Sequence, residues 1–261
     1  FSLHSVLFAV LFGTLFALVY RGEKILVDIK KTSKRAWIAI IMFGLFASGL
    51  FIVFRFLGLA QSSGTFATLG QVITTSLTAI LAFIILRERL AKQFWLFFVL
   101  IILATYVVST NSVTLSTPKV GDLFILLAAF FLAIANIFAK IAIPKTTPIV
   151  LSVGRFCTGA IFFILATMLL FGAEALFSEF SYWSILSGFF WTVNILAFSF
   201  AISRIGITLA TSVLMFAPII TMILEITLLK QHFSLLQIVA GLVVVSSGVM
   251  LLITASKVSR N

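Results

Sequence analysis

The sequence is poor in the residues that build disulfides, metal sites and catalytic centres. Its single cysteine excludes an intramolecular disulfide, and its two histidines argue against a histidine-based metal site. It lacks a glycine-rich loop followed by lysine, the pattern that binds nucleotide phosphates, and it lacks a set of serine, histidine and acid for nucleophilic catalysis. We therefore expect no enzymatic activity, no cofactor and no bound metal.

Charged residues are also scarce. They make up 10% of the 261 residues, whereas hydrophobic residues make up 62%. Since a soluble domain carries about 25% charged residues, this composition indicates a polytopic membrane protein. Acidic residues number 7 against 18 lysines and arginines, and the placement of these basic residues, described below, argues against a nucleic-acid partner.

Apolar runs long enough to cross a hydrocarbon core of about 30 Å as helices recur along the chain. The clearest pair covers 36–60 and 65–86, with a four-residue break at 61–64 between them. Basic residues at 30–35 precede this pair and the charged residues 87–89 follow it. The pattern is typical of a transmembrane helical hairpin with both ends on one side of the membrane.

A looser hairpin comes later, with the reversal predicted at Arg204-Ile205-Gly206. Together these patterns predict an all-α protein with nine visible spans. We place them at 1–20, 36–60, 65–86, 94–110, 121–143, 148–171, 183–203, 207–229 and 234–254.

The basic residues set the orientation in the membrane. If loop 21–35 is cytoplasmic, most lysines and arginines of the other loops fall on the same side, and the loop with Glu174 and Glu179 falls on the opposite side. Short cytoplasmic loops carry such an excess of lysine and arginine. We therefore predict a multi-pass protein of the cell membrane, a bacterial inner membrane in particular, with a cytoplasmic C-terminus.

The chain also shows a weak internal repeat. Sliding it so that Leu86 meets Leu229 also lays Thr68 on Thr211. This shift spans an odd number of helices, so the two halves have opposite topology, as in the inverted repeats of secondary transporters. We predict a first repeat at 1–115 and a second at 119–256, two inverted repeats of five helices with the first helix of the first repeat missing upstream of Phe1.

Several short motifs together resemble those of the drug/metabolite transporter superfamily, in its EamA-like branch. They are Gly121-Asp122-Leu123, Gly154-Arg155-Phe156, Leu86-Arg87-Glu88-Arg89-Leu90, and the stretch from Leu236 through Gly241 to Val249. The resemblance implies ten helices in two inverted repeats. The chain departs from the family pattern at Thr75, where a proline is usual, whereas the counterpart proline is present as Pro218.

The resemblance implies a secondary transporter, an exporter of small metabolites, amino acids or drugs, that works by alternating access between the two repeats. The alternative is a membrane-embedded structural or lipid-handling partner without solute transport. The expected partners are a small-molecule substrate and the lipid bilayer, and the expected oligomeric state is a monomer or a homodimer.

Polar residues inside the spans are the candidate substrate contacts, because a charge at the bilayer centre costs about 2.5–3.5 kcal/mol on the insertion scale. With the aromatic, methionine and proline residues that share their helical faces, the predicted substrate-binding set is Arg55, Gln71, Asn136, Lys140, Trp191, Asn194, Met215, Pro218 and Glu225.

Several of these residues have a structural alternative. Arg55 and Lys140 have stems long enough to reach the headgroups. Asn194 is equally suited to an interhelical hydrogen bond, and Pro218 to a tolerated kink. Arg155, outside the set, is interpreted as a snorkelling or structural arginine.

Arg55 and Glu225 are predicted to lie at similar depth near the outer ends of their helices. Opposite charges within about 4–6 Å favour both charged forms, so we hypothesise an ion pair that closes the outer side. The alternative is that Arg55 snorkels and Glu225 pairs with Lys230.

Overall fold

The computed structural model describes residues 2–87, 92–110, 119–174, 181–214 and 217–258. Within these ranges the secondary structure is helical and no residue lies in a β-strand. The prediction of an all-α fold is therefore confirmed.

The helices follow one another with short connections. In chain order they are α1 (Ser2–Arg21), α2 (Lys24–Lys31), α3 (Lys34–Gly44), a π-helical turn (Leu45–Leu50), α4 (Phe51–Leu59), α5 (Gly64–Leu86), α6 (Lys92–Thr110), α7 (Val120–Ala142), a 3₁₀ turn (Ile143–Lys145), α8 (Pro148–Phe171), α9 (Tyr182–Leu214), α10 (Ala217–Leu228) and α11 (Leu235–Val258).

Helices of membrane-spanning length dominate the described chain. Six helical segments are long and apolar enough to cross a bilayer, and they lie at Leu3–Arg21, Lys34–Leu59, Gly64–Leu86, Val120–Lys145, Pro148–Phe171 and Tyr182–Ala201. Three shorter apolar helices lie at Lys92–Val108, Ala217–Leu228 and Leu235–Met250. Each predicted span is helical over its described residues except at Ala60, Leu229 and Ser234, which lie at span ends, and the prediction of a polytopic membrane protein is confirmed.

Helix α9 differs from the prediction at its second half. The reversal expected at 204–206 is wrong, because α9 runs without a break from Tyr182 to Leu214. The expected breaker, Gly206, costs a helix only about 1 kcal/mol relative to alanine, and no proline stands near it to end the helix.

Two smaller elements were also missed. Loop 21–35 contains α2, and Arg21 bonds Asp28 of this helix through Nη2 at 2.8 Å and Nε at 3.0 Å. The second is the π-helical turn Leu45–Leu50, which interrupts the span 34–59. Such turns arise from a single residue too many in the helical ladder and are frequent at functional sites.

The chain divides into two compact units. The first contains residues 1–53 and 134–206, and the second contains residues 54–133 and 207–261. In the first unit α8 packs against α1, α3 and the π-helical turn. In the second unit α11 packs against α6, and α5 packs against α10 and α11.

The core of the second unit is aliphatic and aromatic. Its most buried members include Leu69 and Val72 of α5, Phe94 and Ile101 of α6, and Val244 of α11. In the first unit a smaller cluster joins Ala9 of α1, Phe156 of α8 and Ile195 of α9.

Small residues let α8 approach the π-helical turn closely. A Cβ atom added at Gly159 would lie 2.5 Å from the Cβ atom of Ser48, and one added at Gly44 would lie 2.6 Å from the Cβ atom of Thr158. Both distances are too short for any side chain. Close approach through small residues is how helices gain packing energy where no hydrophobic effect acts between them.

We predict that Gly159→Ala destabilises the protein and that Gly13→Ala does not. The added methyl at 159 meets Ser48, and such overpacking costs about 1–3 kcal/mol. At Gly13 the nearest atom, in Phe156, is 3.6 Å away, so alanine there adds helix propensity worth up to about 1 kcal/mol.

The measurement is the midpoint of thermal unfolding in detergent. A lower midpoint is expected for Gly159→Ala only. Equal midpoints for the two variants would contradict the close approach of α8 to the π-helical turn.

Candidate functional site

Glu225 lies on α10 with its carboxylate at the first turn of α5. Its Oε1 accepts a hydrogen bond from the Gly64 N–H at 2.7 Å, and its Oε2 accepts one from the Thr65 N–H at 3.0 Å. The Thr65 hydroxyl also donates to Oε2. The first N–H groups of a helix have no partner within the helix, and the positive end of its dipole favours an anion. The side chain is 6% exposed, so this contact is shielded from solvent.

The expected ion pair between Glu225 and Arg55 is not formed in this structure. The carboxylate is bonded to Gly64 and Thr65, and neither Arg55 nor the alternative partner Lys230 is among its contacts. The backbone N–H groups of α5 bind the carboxylate, where the sequence suggested that a cation would bind it. Arg55, on α4, instead donates through Nη1 to the Ala67 carbonyl oxygen at 3.4 Å.

Gln71 lies on the next turn of α5 after Ala67. Its Oε1 atom is buried and accepts no hydrogen bond from the residues that the structure describes. Ala67, whose carbonyl receives Arg55, lies four residues before Gln71 and therefore on the same face of α5. The structure thus brings a guanidinium and an unsatisfied amide oxygen to adjacent turns of α5.

The reversal between α4 and α5 is held from a second side by α7. The Ser62 hydroxyl donates to Oδ1 of Asp122, a residue only 2% exposed. The neighbouring Gly121 meets Gln61 so closely that an added Cβ atom would lie 2.7 Å from the Gln61 carbonyl carbon. Sequence reasoning used Asp122 only as part of a motif and missed this contact, although an acid in the first turn of an apolar helix was a visible signal.

Arg155 lies on α8 within the first unit and contacts the π-helical turn. Its Nε donates to Ser48 Oγ at 2.9 Å and its Nη2 to the Ala47 carbonyl at 3.3 Å, and its guanidinium carbon is 4.9 Å from the centre of the Phe43 ring. Irregular helical turns leave carbonyl groups that need donors from elsewhere. At 5% exposure, Arg155 has the structural role that the sequence suggested, as a link between two helices.

The remaining candidates on α7 and α9 lie in the first unit. Asn136 and Lys140 are half-buried on successive turns of α7. Trp191 packs edge-to-face on Phe156 with ring centres 6.5 Å apart, and Asn194 is exposed.

The last two candidates fall at the start of α10. Met215 lies outside the described residues. Pro218 is buried near the described start of α10. Residues 215 and 216 lie outside the described residues, so the kink expected at Pro218 stays a prediction.

The model of the EamA-like transporter family matches residues 1–110 and 119–254. No curated protein matches the sequence.

We predict that Arg155→Lys and Ser48→Ala each destabilise the protein, whereas Arg204→Lys does not. Lysine at 155 cannot reach both acceptors and also stack on Phe43, and each lost bond to a buried charged group costs about 1.5–3 kcal/mol. Arg204 on α9 is exposed and serves as the matched control.

Thermal unfolding of the two variants and of their double mutant measures the coupling. If Ser48→Ala and Arg155→Lys act through the same hydrogen bond, the double mutant loses less than the sum of the single losses. Strictly additive losses would show that the bond contributes nothing.

Proposed function

Because the chain belongs to the EamA-like transporter family, we propose that it is a secondary transporter of small metabolites, amino acids or drugs. In this proposal it is an exporter and works by alternating access between two inverted repeats, at 1–115 and 119–256. The observation that carries the proposal is the family match over nearly the whole chain. Transport by such a protein needs a polar contact site in an apolar bundle and two alternating states.

Within the second unit, the proposed substrate contacts are Arg55 and Gln71. A buried acceptor without a partner costs free energy, and a solute with a donor group would satisfy Oε1 of Gln71. The guanidinium near Ala67 suits an acceptor group on the same solute. The other proposed substrate contacts are Asn136, Lys140, Trp191, Asn194, Met215 and Pro218. Glu225 is left out of the proposed contacts because its carboxylate binds the first N–H groups of α5.

We predict that Gln71→Leu lowers solute flux about tenfold without lowering stability. A structural glutamine would be bonded and its loss would destabilise the protein, but Oε1 of Gln71 has no hydrogen-bond partner among the residues that the structure describes. The loss of one hydrogen bond to the solute corresponds to about tenfold in affinity. Gln231→Leu, at an exposed glutamine, is the control.

Flux is measured in proteoliposomes loaded with a mixture of labelled amino acids, and stability is measured by thermal unfolding. A variant Gln71→Leu that unfolds earlier and transports normally would remove Gln71 from the site. If the folded wild-type protein moves no solute of any class, the alternative of a structural or lipid-handling partner is favoured.

The proposed orientation places loop 21–35 and the C-terminus in the cytoplasm of a bacterial cell, with loop 172–182 outside. After Cys157, the sole cysteine, is replaced by serine, a membrane-impermeant maleimide should label Glu174→Cys in intact cells. Glu23→Cys should react only after permeabilisation. The opposite labelling pattern would reverse the orientation.

A further inference from the structure

We infer that the reversal Gln61–Gly64 is a latch. Asp122 and Glu225 bind to it and hold one end of the second unit closed. These contacts must break and re-form during each transport cycle. The inference rests on the proposed function and names the element that changes between its two states. We call these residues the reversal latch.

Each side of the reversal meets an acidic residue from a helix that is distant in sequence. Asp122, in the first turn of α7, accepts from the Ser62 hydroxyl. Glu225, in the last turns of α10, accepts from the backbone of Gly64 and Thr65. In both contacts the hydrogen-bond donor belongs to the reversal or to the first turn of α5. A movement of α7 or α10 away from this segment therefore breaks charge-assisted bonds directly.

Helix α5 does not need Glu225 in order to begin at Gly64. Its local cap is Ser63, whose Oγ accepts from the Phe66 N–H at 3.1 Å, and the Ser63 carbonyl accepts from the Ala67 N–H at 3.1 Å. An N-cap serine is by itself enough to stabilise a helix start. Of the backbone N–H groups, Glu225 accepts from the two that the local cap leaves unpaired, and it accepts from the Thr65 hydroxyl as well. The contact can therefore open while α5 stays folded, which a latch requires.

Glycine allows the parts of the latch to approach one another. An added Cβ atom at Gly64 would lie 2.7 Å from Oε1 of Glu225, and one at Gly121 would lie 2.8 Å from the Cβ atom of Gln61. In the closed arrangement Thr65 has no exposed surface and Glu225 has 6%. A carboxylate that leaves such bonds must gain water in their place. Opening of the latch is therefore coupled to water entry at this end of the unit.

A static helix cap is the competing explanation, and hydrogen exchange separates the two. The amides of Gly64 and Thr65 have no partner inside α5, so any protection of these amides reports the contact with Glu225. The Phe66 amide is protected by Ser63 and serves as an internal control. In Glu225→Gln we expect exchange at least about tenfold faster at Gly64 and Thr65, the factor for a lost charge-assisted bond, and unchanged exchange at Phe66.

Locking the reversal tests whether the latch opens in the unmodified protein. In a Cys157→Ser background, Ser62→Cys and Asp122→Cys are bridged by the shortest bis-methanethiosulfonate, and the protein is studied in lipid nanodiscs before and after reduction. If the latch opens, the bridge slows exchange at Gly64 and Thr65 at least about tenfold and reduction restores it. Equal exchange in the bridged and reduced forms would overturn the latch.

Flux provides the second measurement. Bridged protein should lose flux in proteoliposomes and regain it on reduction. The control is a bridge between Val108→Cys and Gln237→Cys, at the contact where Gln237 Nε2 donates to the Val108 carbonyl at 3.1 Å between α6 and α11. This control bridge should leave flux unchanged. Flux that persists with the reversal bridged also overturns the latch.

The exchange measurement does not depend on the identity of any solute. If wild-type protein moves none of the labelled amino acids but the bridge still slows exchange, the proposed substrate class fails and the latch stands. If flux is present and the bridge changes neither exchange nor flux, the latch fails and the proposed transport stands.

Discussion

Every irregular point of a chain inside a bilayer has to find hydrogen-bond partners within the protein, because lipid offers none. Regular helices meet this demand by themselves. The π-helical turn at 45–50 and the first turn of α5, where Thr65 is fully buried, do not, and a long charged side chain from a distant helix bonds each of them. Glu225 supplies acceptors to N–H groups that have no partner within α5, and Arg155 donates to the Ser48 hydroxyl and the Ala47 carbonyl of the π-helical turn. The sign of each side chain matches the backbone group it serves.

These two contacts also show how a few charged side chains can stabilise the packing of many apolar helices. A buried charge needs bonded partners. Backbone dipoles serve this purpose without a second charge, so Glu225 and Arg155 are stabilised by neutral groups. The result is a helical bundle in which a few charged side chains hold the places where helices start, bend or widen.

The all-α class and the position of most helices could be predicted from sequence because the apolar runs are long and the breaks between most of them are polar. The reversal after Ala60 is the best example, since Gln61, Ser62 and Ser63 offer caps and no apolar surface. The prediction of a reversal at 204–206 was wrong because Arg204 and Gly206 stand alone among apolar residues, and one glycine does not end a helix. The π-helical turn leaves no distinct sequence signal, because its residues are as apolar as those of the flanking helices.

The candidate site was harder to predict than the fold. Depth in the membrane is predicted from position along a span, which is why Arg55 and Glu225 were chosen as candidates. Their partners depend on which helices lie side by side and on which backbone groups are unpaired, and neither follows from a single sequence. Whether Oε1 of Gln71 finds a donor depends on the side chains around it, and among the residues that the structure describes none donates to it.

The position of Arg155 has a consequence for biogenesis. An arginine costs about 2.5–3.5 kcal/mol at the centre of an inserting helix on the insertion scale, and Arg155, about a third of the way along α8, carries part of that cost. The acceptors of this arginine belong to Ala47 and Ser48, which are synthesised more than a hundred residues earlier. When α8 leaves the ribosome, the turn that receives its charge is already made. The order of synthesis therefore allows the π-helical turn, which is made first, to bind Arg155 and so offset the cost of inserting α8.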